Sequence, residues 1–396
     1  MNITSCRYCR SSLTPVLDVG RIPLVNYFPT KEEVQTQKTY PLRLVRCNSC
    51  GLLQLDEIIP ASEIFSTYHY VTGASEPLIQ ELSELATLLI QSRHLTEKSR
   101  VLDIGSNDGT LLSFFHEKGI QTIGVEPSRE LSGLSSKRVI ETLNTFFSLD
   151  TAKHIIKTYG HCDVVCATHV LANIIDLGDF MDGIRTVLSP NGVCVIEVAD
   201  ADVMLSKGQF DSIYHEHYSY FTSRVLERIA ADHHLAVLSL TTSSVQGGAI
   251  RVELVHASQS KTQPKTMGGK KQDIAGFSER VAAYKKQFAK TLGKYAGKKI
   301  VGFGAPAKSV TFTSYMGLSG KQISYIVDST AQKQGRFLPG TNIPIYAQSR
   351  IAIDLPDVVI VFSWNYRGVI VDALKKTLKT GTTIITPFPA LVVETT

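Results

Sequence analysis

The sequence predicts an α/β protein in three parts: a small cysteine-bearing module, a central Rossmann-like domain and a second Rossmann-like α/β domain. Three observations lead there. Two Cys-x-x-Cys pairs lie near the start, an apolar run ends in the glycine turn of VLDIGSNDG at 101–109, and the same strand-and-turn pattern begins again at KIVGFGAPAKS. At 396 residues the chain exceeds one ordinary core, since domains usually hold about 100 to 200 residues. With 43% hydrophobic and 19% charged residues it has the composition of a folded protein. A net charge of +5 over this length falls short of a nucleic-acid-binding balance.

Residues 1–65 are turn-rich and carry Cys6 and Cys9 in CRYC, then Cys47 and Cys50 in CNSC. That spacing suits one tetrahedral four-thiolate zinc site, closed and structural, because it leaves no open position for an activated water. The other three cysteines, Cys162, Cys166 and Cys194, sit singly in apolar runs, which fits reduced thiols.

Residues 66–255 form the central domain. PLIQELSELATLLIQSRHL is amphipathic with helical period, and the strands VLDIG, TIGVEPS, DVVCATHVL and GVCVIEVAD alternate with helical stretches, as in a doubly wound parallel sheet. In the turn, Asp103 ends the first strand and Gly105 lets the backbone bend against a ligand. Asn107, Asp108 and Gly109 open the next helix, whose free N–H groups suit a carboxylate. Glu126, ending the second strand, is placed to accept from a ribose diol. The glycines do not follow the GxGxxG of dinucleotide enzymes, so the pattern points to S-adenosylmethionine and hence to a methyltransferase.

Residues 256–396 begin with a polar, lysine-rich helical connector and continue as the second α/β domain, with strands KIVGF, QISYIVDST, DVVIVFSW and TTIITPFP. GFGAPAKS can cradle phosphates through backbone N–H groups with Lys308 as a point charge, or be a plain helix-entry turn. Asp328, Trp364, Asn365 and Tyr366 fall where strand ends gather, and Trp364, the single tryptophan, is either a base-stacking platform or core.

One further stretch, FDSIYHEHYSYF at 210–221, crowds Tyr214, His215, Glu216, His217, Tyr218 and Tyr220 together. In a helix, Tyr214 and His217 would share a face, with Glu216 able to orient a ring. An imidazole serves as a base at neutral pH and a tyrosine hydroxyl can stabilise an enolate oxygen. Satisfied core or surface histidines are the other outcome, and HEH lacks the HExxH spacing of a catalytic zinc site.

Taken with PLRLVRCNSCGLLQL, YHYVTGAS, QGGAIRVEL and KQGRFLPGTNIPI in this order, these segments make the chain resemble the three-domain sugar C-methyltransferases, the C-3 methyltransferases of branched deoxysugar biosynthesis. The resemblance covers almost the whole chain. It implies structural Zn2+, S-adenosyl-L-methionine as methyl donor, and a C-terminal domain that helps hold a nucleotide-linked 4-keto-deoxysugar. It also implies a metal-independent route through an enolate. His217 matches the base, Tyr214 and Glu216 its companions, and Tyr68 an active-site tyrosine on a segment that closes over the site. Asn173 and Gln246 depart from the family, which commonly has histidine at both positions; Asn173 keeps a place among the substrate-binding residues.

Two other readings stay open: a zinc-ribbon methyltransferase acting on nucleic acid, and a cofactor-binding scaffold without chemistry. No signal sequence or window of eighteen apolar residues appears, so a cytoplasmic enzyme without a membrane partner is expected. The resemblance adds a small-molecule substrate and the mild charge speaks against nucleic acid, while the oligomeric state stays open, a monomer being favoured.

Overall fold

The computed structural model describes residues 3–64, 71–138, 140–243, 247–259 and 274–396. Tyr68 and Gln246 lie outside the described residues. The N-terminal module is a β-meander of β1 (Leu13–Ile22), β2 (Tyr40–Cys47) and β3 (Leu53–Leu55), all antiparallel. The central domain contributes parallel strands β4 (Arg100–Ile104), β5 (Gln121–Val125), β6 (Glu141–Leu143), β7 (Cys162–Thr168) and β8 (Leu188–Ala199). Their interiors are apolar on both faces because helices cover both sides, the pattern that buried parallel strands require.

Next comes β9 (Ser219–Tyr220), which leaves the central domain and pairs with β3 as the fourth strand of the N-terminal sheet. β10 (Leu235–Ser243) and β11 (Ala249–His256) then close the central sheet in the order β10-β11-β8-β7-β4-β5-β6. β11 runs antiparallel to both β8 and β10, so this sheet is mixed and not the wholly parallel one expected. For β10 and β11 the reason is local: five residues separate Ser243 from Ala249, and a parallel neighbour would need a crossover of a dozen residues or more.

The C-terminal sheet, in the order β14-β13-β12-β15-β16-β17, contains β12 (Ile300–Phe303), β13 (Ile326–Val327), β14 (Ile345–Tyr346), β15 (Val358–Val361), β16 (Thr383–Thr386) and β17 (Val392–Thr395). Only β17 is antiparallel. The helix Ile274–Gly293 precedes it; its lysines are exposed, but Arg280 donates to Leu205 O and Phe277, Val281 and Phe288 are fully buried, so the connector is also a core element. One apolar cluster joins Val25 and Leu44 of the N-terminal module, Phe210 and Ile213 of the central domain, and Phe312 and Phe388 of the C-terminal domain. Phe210 is its hinge, with Tyr315, Phe388 and Phe312 rings at 4.7, 5.6 and 5.8 Å. The segment 210–221 is therefore fastened by all three parts of the chain. Among the described residues, no helix is long and apolar enough to cross a membrane.

Candidate active site

Two adjoining cavities flank the carboxyl ends of the central strands, where ligands of open α/β sheets bind. The larger, of about 390 Å³, is lined by Asp103, Gly105, Asn107, Glu126, His169 and Asn173 among others. Gly105 has φ +73°, and a Cβ there would lie 2.9 Å from Val170. Glu126 is fixed by two backbone donors, Ser128 N–H to Oε1 at 2.8 Å and Asn107 N–H to Oε2 at 3.0 Å. Asn107 in turn accepts the Thr72 N–H at 2.9 Å, tying the end of the YHYVTGAS stretch to the glycine turn. Asp103 is buried beneath Glu126, and burial together with that neighbouring charge holds its pKa well above the usual carboxylate range. Its Oδ1 has no donor in the protein.

A cavity of this size, with an acid at the second strand end, a buried oxygen awaiting a donor and a wall where only glycine fits, matches S-adenosylmethionine. Asp108 departs from expectation: it is absent from this lining because its carboxylate accepts from Thr110 Oγ1 at 2.6 Å and pairs with Arg138 at 3.1 Å, which makes it a brace for the helix entry. Gly105→Ala is expected to weaken S-adenosylhomocysteine binding at least about tenfold by calorimetry, since the methyl group meets Val170 and the left-handed backbone is strained for alanine.

The smaller pocket, of about 40 Å³, is lined by His169, Gln209, Tyr214, His217, Tyr220 and Lys308 with neighbouring residues. Here the expected helix over 210–221 gives way to a 3-10 turn at Phe210–Ser212, an irregular bend and β9. Tyr214 and His217 still meet, because a turn places residues three apart together: the His217 N–H donates to Tyr214 O at 3.0 Å, and Tyr214 Oη lies 2.9 Å from His217 Nε2. The Tyr214 N–H donates to Tyr220 Oη and Thr311 Oγ1 donates to Ile213 O, so the bend is held from both sides. Burial, followed by the nearby Lys308 charge, lowers the His217 pKa to about 3, so the ring is neutral at physiological pH.

Glu216 does not orient that ring. Its two oxygens each accept from Asn26 Nδ2 at 2.8 Å, which turns the side chain toward the N-terminal module, and burial raises its pKa to about 7. His215 is likewise structural, with Nε2 3.1 Å from Pro41 O.

Two of the GFGAPAKS amides are spent internally, Gly304 N–H on Val327 O and Ala305 N–H on Asp328 Oδ2. Lys308 projects into the small pocket and not out to solvent. Its Nζ lies 4.3 Å over the Trp364 ring and 3.5 Å from Asn365 Oδ1. Trp364 is buried and donates Nε1–H to Asp211 at 2.7 Å, so it backs Lys308 and is not an open stacking platform. Asp328 pins the β12 and β13 loops through Ala305 and Thr330 N–H groups, and Tyr366 is exposed. Asn173 lines the cofactor cavity and is not part of the small pocket's lining. Asp211, Asn26 and His169 were not legible as site residues; of these, only His169 carried a signal, a polar side chain just past a buried strand.

The four expected thiols converge. Cys6 and Cys50 Sγ lie 3.6 Å apart, Cys9 and Cys47 3.3 Å, and all four within 4.8 Å. Tetrahedral zinc with about 2.3 Å Zn–S bonds sets sulfurs about 3.8 Å apart, so the donor set fits that ion. The Ser49 and Cys50 N–H groups both point at Cys47 Sγ, as donors to a thiolate do.

Family models match in the same order: a zinc binding domain over residues 6–65, a methyltransferase domain over 70–240 and a C-methyltransferase C-terminal domain over 244–389. The C-methyltransferase NovU of Streptomyces niveus is 30% identical over 98% of this chain and 96% of its own length. A ubiquinone biosynthesis O-methyltransferase of Bradyrhizobium diazoefficiens is 31% identical over 24% of this chain and 38% of its own. Among solved structures, the Burkholderia thailandensis 1,6-didemethyltoxoflavin-N1-methyltransferase superposes with a TM-score of 0.38 at 16% identity, over 54% of this chain and 95% of that one. Matched along nearly its full length to NovU, with each of its three parts answering to a family model, the chain belongs to the S-adenosylmethionine-dependent C-methyltransferase family.

Proposed function

We propose that this protein transfers a methyl group from S-adenosylmethionine to carbon, at C-3 of a nucleotide-linked 4-keto-deoxysugar. The observation that carries the reading is the neutral His217–Tyr214 pair in a small pocket that opens beside the cofactor cavity. Asp103, Gly105, Asn107 and Glu126 hold the cofactor, which supplies an electrophilic methyl group when bound. His217 removes the proton from the sugar carbon beside the ketone, and being neutral it needs no prior deprotonation. Tyr214 hydrogen-bonds the oxygen that becomes the enolate, and the Lys308 charge in the same pocket favours that oxygen's negative charge over the neutral ketone. Gln209 and Tyr220 line the same pocket, and Trp364 supports Lys308 from outside the lining.

At about 40 Å³ the small pocket takes the reacting carbonyl end of the sugar and not the whole ring, which leaves the nucleotide to lie along the C-terminal domain that carries Lys308, Trp364 and Asn365. The test is mass spectrometry of products from a panel of 4-keto-6-deoxy sugar nucleotides incubated with enzyme and S-adenosylmethionine. One added methylene, located on carbon by fragmentation, is expected. Methylation of oxygen, or of RNA in a parallel incubation, would overturn the assignment.

A further inference from the structure

His169 has no task in the chemistry above, yet it occupies the most constrained position in the site. It follows β7 and is the one residue that lines both cavities among the described residues. Its backbone is left-handed, φ +55°, a conformation a non-glycine residue keeps only when its surroundings impose it. The constraint is Glu197 on β8. The His169 N–H donates to Glu197 O at 2.8 Å, and the ring Nε2 stands 3.3 Å from Glu197 Oε1.

Glu197 is itself held. It is 2% exposed, its Oε2 accepts from Arg251 Nε at 2.5 Å, and its Oε1 is the oxygen that faces the imidazole. Although burial raises its pKa, its contacts with His169, Arg251 and the Glu81 carboxyl outweigh that and hold it below the usual carboxylate range, so the carboxylate stays ionised. Glu81 completes the group at 3.5 Å from Arg251 Nη2. Glu81, His169 and Glu197 have the spacing of three metal ligands, but Arg251 already places a cation on both carboxylates, so the arrangement handles protons and not a metal ion.

A carboxylate that faces Nε2 keeps the proton on that nitrogen and leaves Nδ1 as the basic atom, the tautomer a proton acceptor needs. We propose that His169, backed by Glu197, is a second acid–base group of this site, which receives the proton taken from the substrate and passes it to solvent. This rests on the reading of the small pocket as the place of methylation.

The balance of the reaction requires such an exit. The C–H electron pair passes through the enolate into the new C–C bond, the electrons of the broken S–C bond stay on sulfur, and one proton remains on the His217 imidazole. His217 is partly buried and disfavours that charge, through desolvation and then through Lys308, so the proton is readily passed on. His169 lines the same pocket, and its side chain is 23% exposed. Proton transfer to Nδ1 and then to water restores His217 for the next turnover. The groups facing this path are Glu197, Glu81, Arg251, His217 and, across the pocket, Lys308.

The test uses the full-length, zinc-loaded enzyme. His169→Asn should lower kcat about 10²-fold while leaving KM and S-adenosylhomocysteine affinity within about threefold, and added imidazole should restore kcat in proportion to its concentration. Glu197→Gln should give a smaller loss. A loss that imidazole does not relieve, or a matching rise in KM, marks a merely structural role and overturns the proposal. ¹⁵N spectroscopy of the His169 ring supplies an arm independent of substrate: an unprotonated Nδ1 at neutral pH that changes in Glu197→Gln supports the pair, and a protonated Nδ1 overturns it. If the wild-type enzyme methylates no keto-sugar nucleotide, the substrate reading falls, while the ring tautomer still decides the His169–Glu197 pair.

Discussion

His217→Asn is expected to reduce kcat for methyl transfer about 10³-fold while leaving S-adenosylhomocysteine affinity unchanged. General-base catalysis contributes about 10² to 10⁴ in rate, and nothing else lining the small pocket replaces His217 at its distance from Tyr214. The cofactor cavity is lined by residues from Thr72 to Ile174, so the substitution does not touch it. Asparagine does not reach Tyr214 Oη from the place of Nε2, but the bend keeps the His217 N–H bond to Tyr214 O, the Tyr214 N–H bond to Tyr220 Oη and the Thr311 Oγ1 bond to Ile213 O, which separates loss of the base from loss of structure. The pH profile adds a second signature. With a folded-state pKa of about 3 against 6.5 for a free imidazole, His217 is in its basic, neutral form throughout the neutral range. No acid limb near pH 6.5 should arise from this residue. Steady-state kinetics in wild type and variant, alongside calorimetry with S-adenosylhomocysteine, check both points, and a variant that turns over at the wild-type rate would remove His217 from the mechanism.

The elements that follow from local pattern were visible in the sequence. The helix Glu76–Ser92 buries Leu78, Leu82, Leu85, Ala86 and Leu89, the spacing an amphipathic helix shows in its sequence. Strands β4, β5, β7 and β8 lie on their apolar runs, each beginning one to four residues earlier, and the four cysteines converge as their spacing requires. Contacts made across domains were not visible. Glu216 stands beside His217 in sequence and suggests a partner for it, but its direction is set by Asn26, 190 residues away. Trp364 could have been a platform or core, and the choice depends on Asp211, 153 residues distant. In sequence Lys308 is a point charge or a plain surface lysine, and it faces the small pocket only because the C-terminal domain packs on the 210–221 bend. His169 carries only its place after a buried strand as a signal, because its meaning comes from Glu197, which β7–β8 pairing brings alongside: Thr168 is in register with Glu197. Asp108 shows the opposite error, a residue of the right type in the right motif whose carboxylate is taken by Arg138.

Removing the zinc is expected to abolish methyl transfer without abolishing cofactor binding. Arg7 lies between Cys6 and Cys9 in the first knuckle, and its guanidinium donates to Tyr218 O and, at 2.6 Å, to Ser219 Oγ. Its ring contact with Tyr218 adds to the hold. Those two residues immediately follow His217, and β9 begins with Ser219, so the knuckle, β3 and the catalytic bend are one mechanical unit. Zinc bound to four thiolates contributes about 10 to 16 kcal/mol in small zinc domains, more than the usual stability of a whole domain, so a module of about sixty residues does not keep this geometry without it. Losing the knuckle frees Arg7, unpairs β9 from β3 and lets His217 leave Tyr214 by more than the few tenths of an ångström that proton transfer tolerates. The cofactor cavity, by contrast, takes no lining residue from the module. Chelation, or Cys9→Ser, should therefore lower Tm and reduce kcat at least about 10²-fold, while calorimetry still records S-adenosylhomocysteine binding. Metal analysis should give one zinc per chain in the active protein. Full activity in zinc-free protein would show that the bend is held by the C-terminal domain alone, through Thr311 and Trp364.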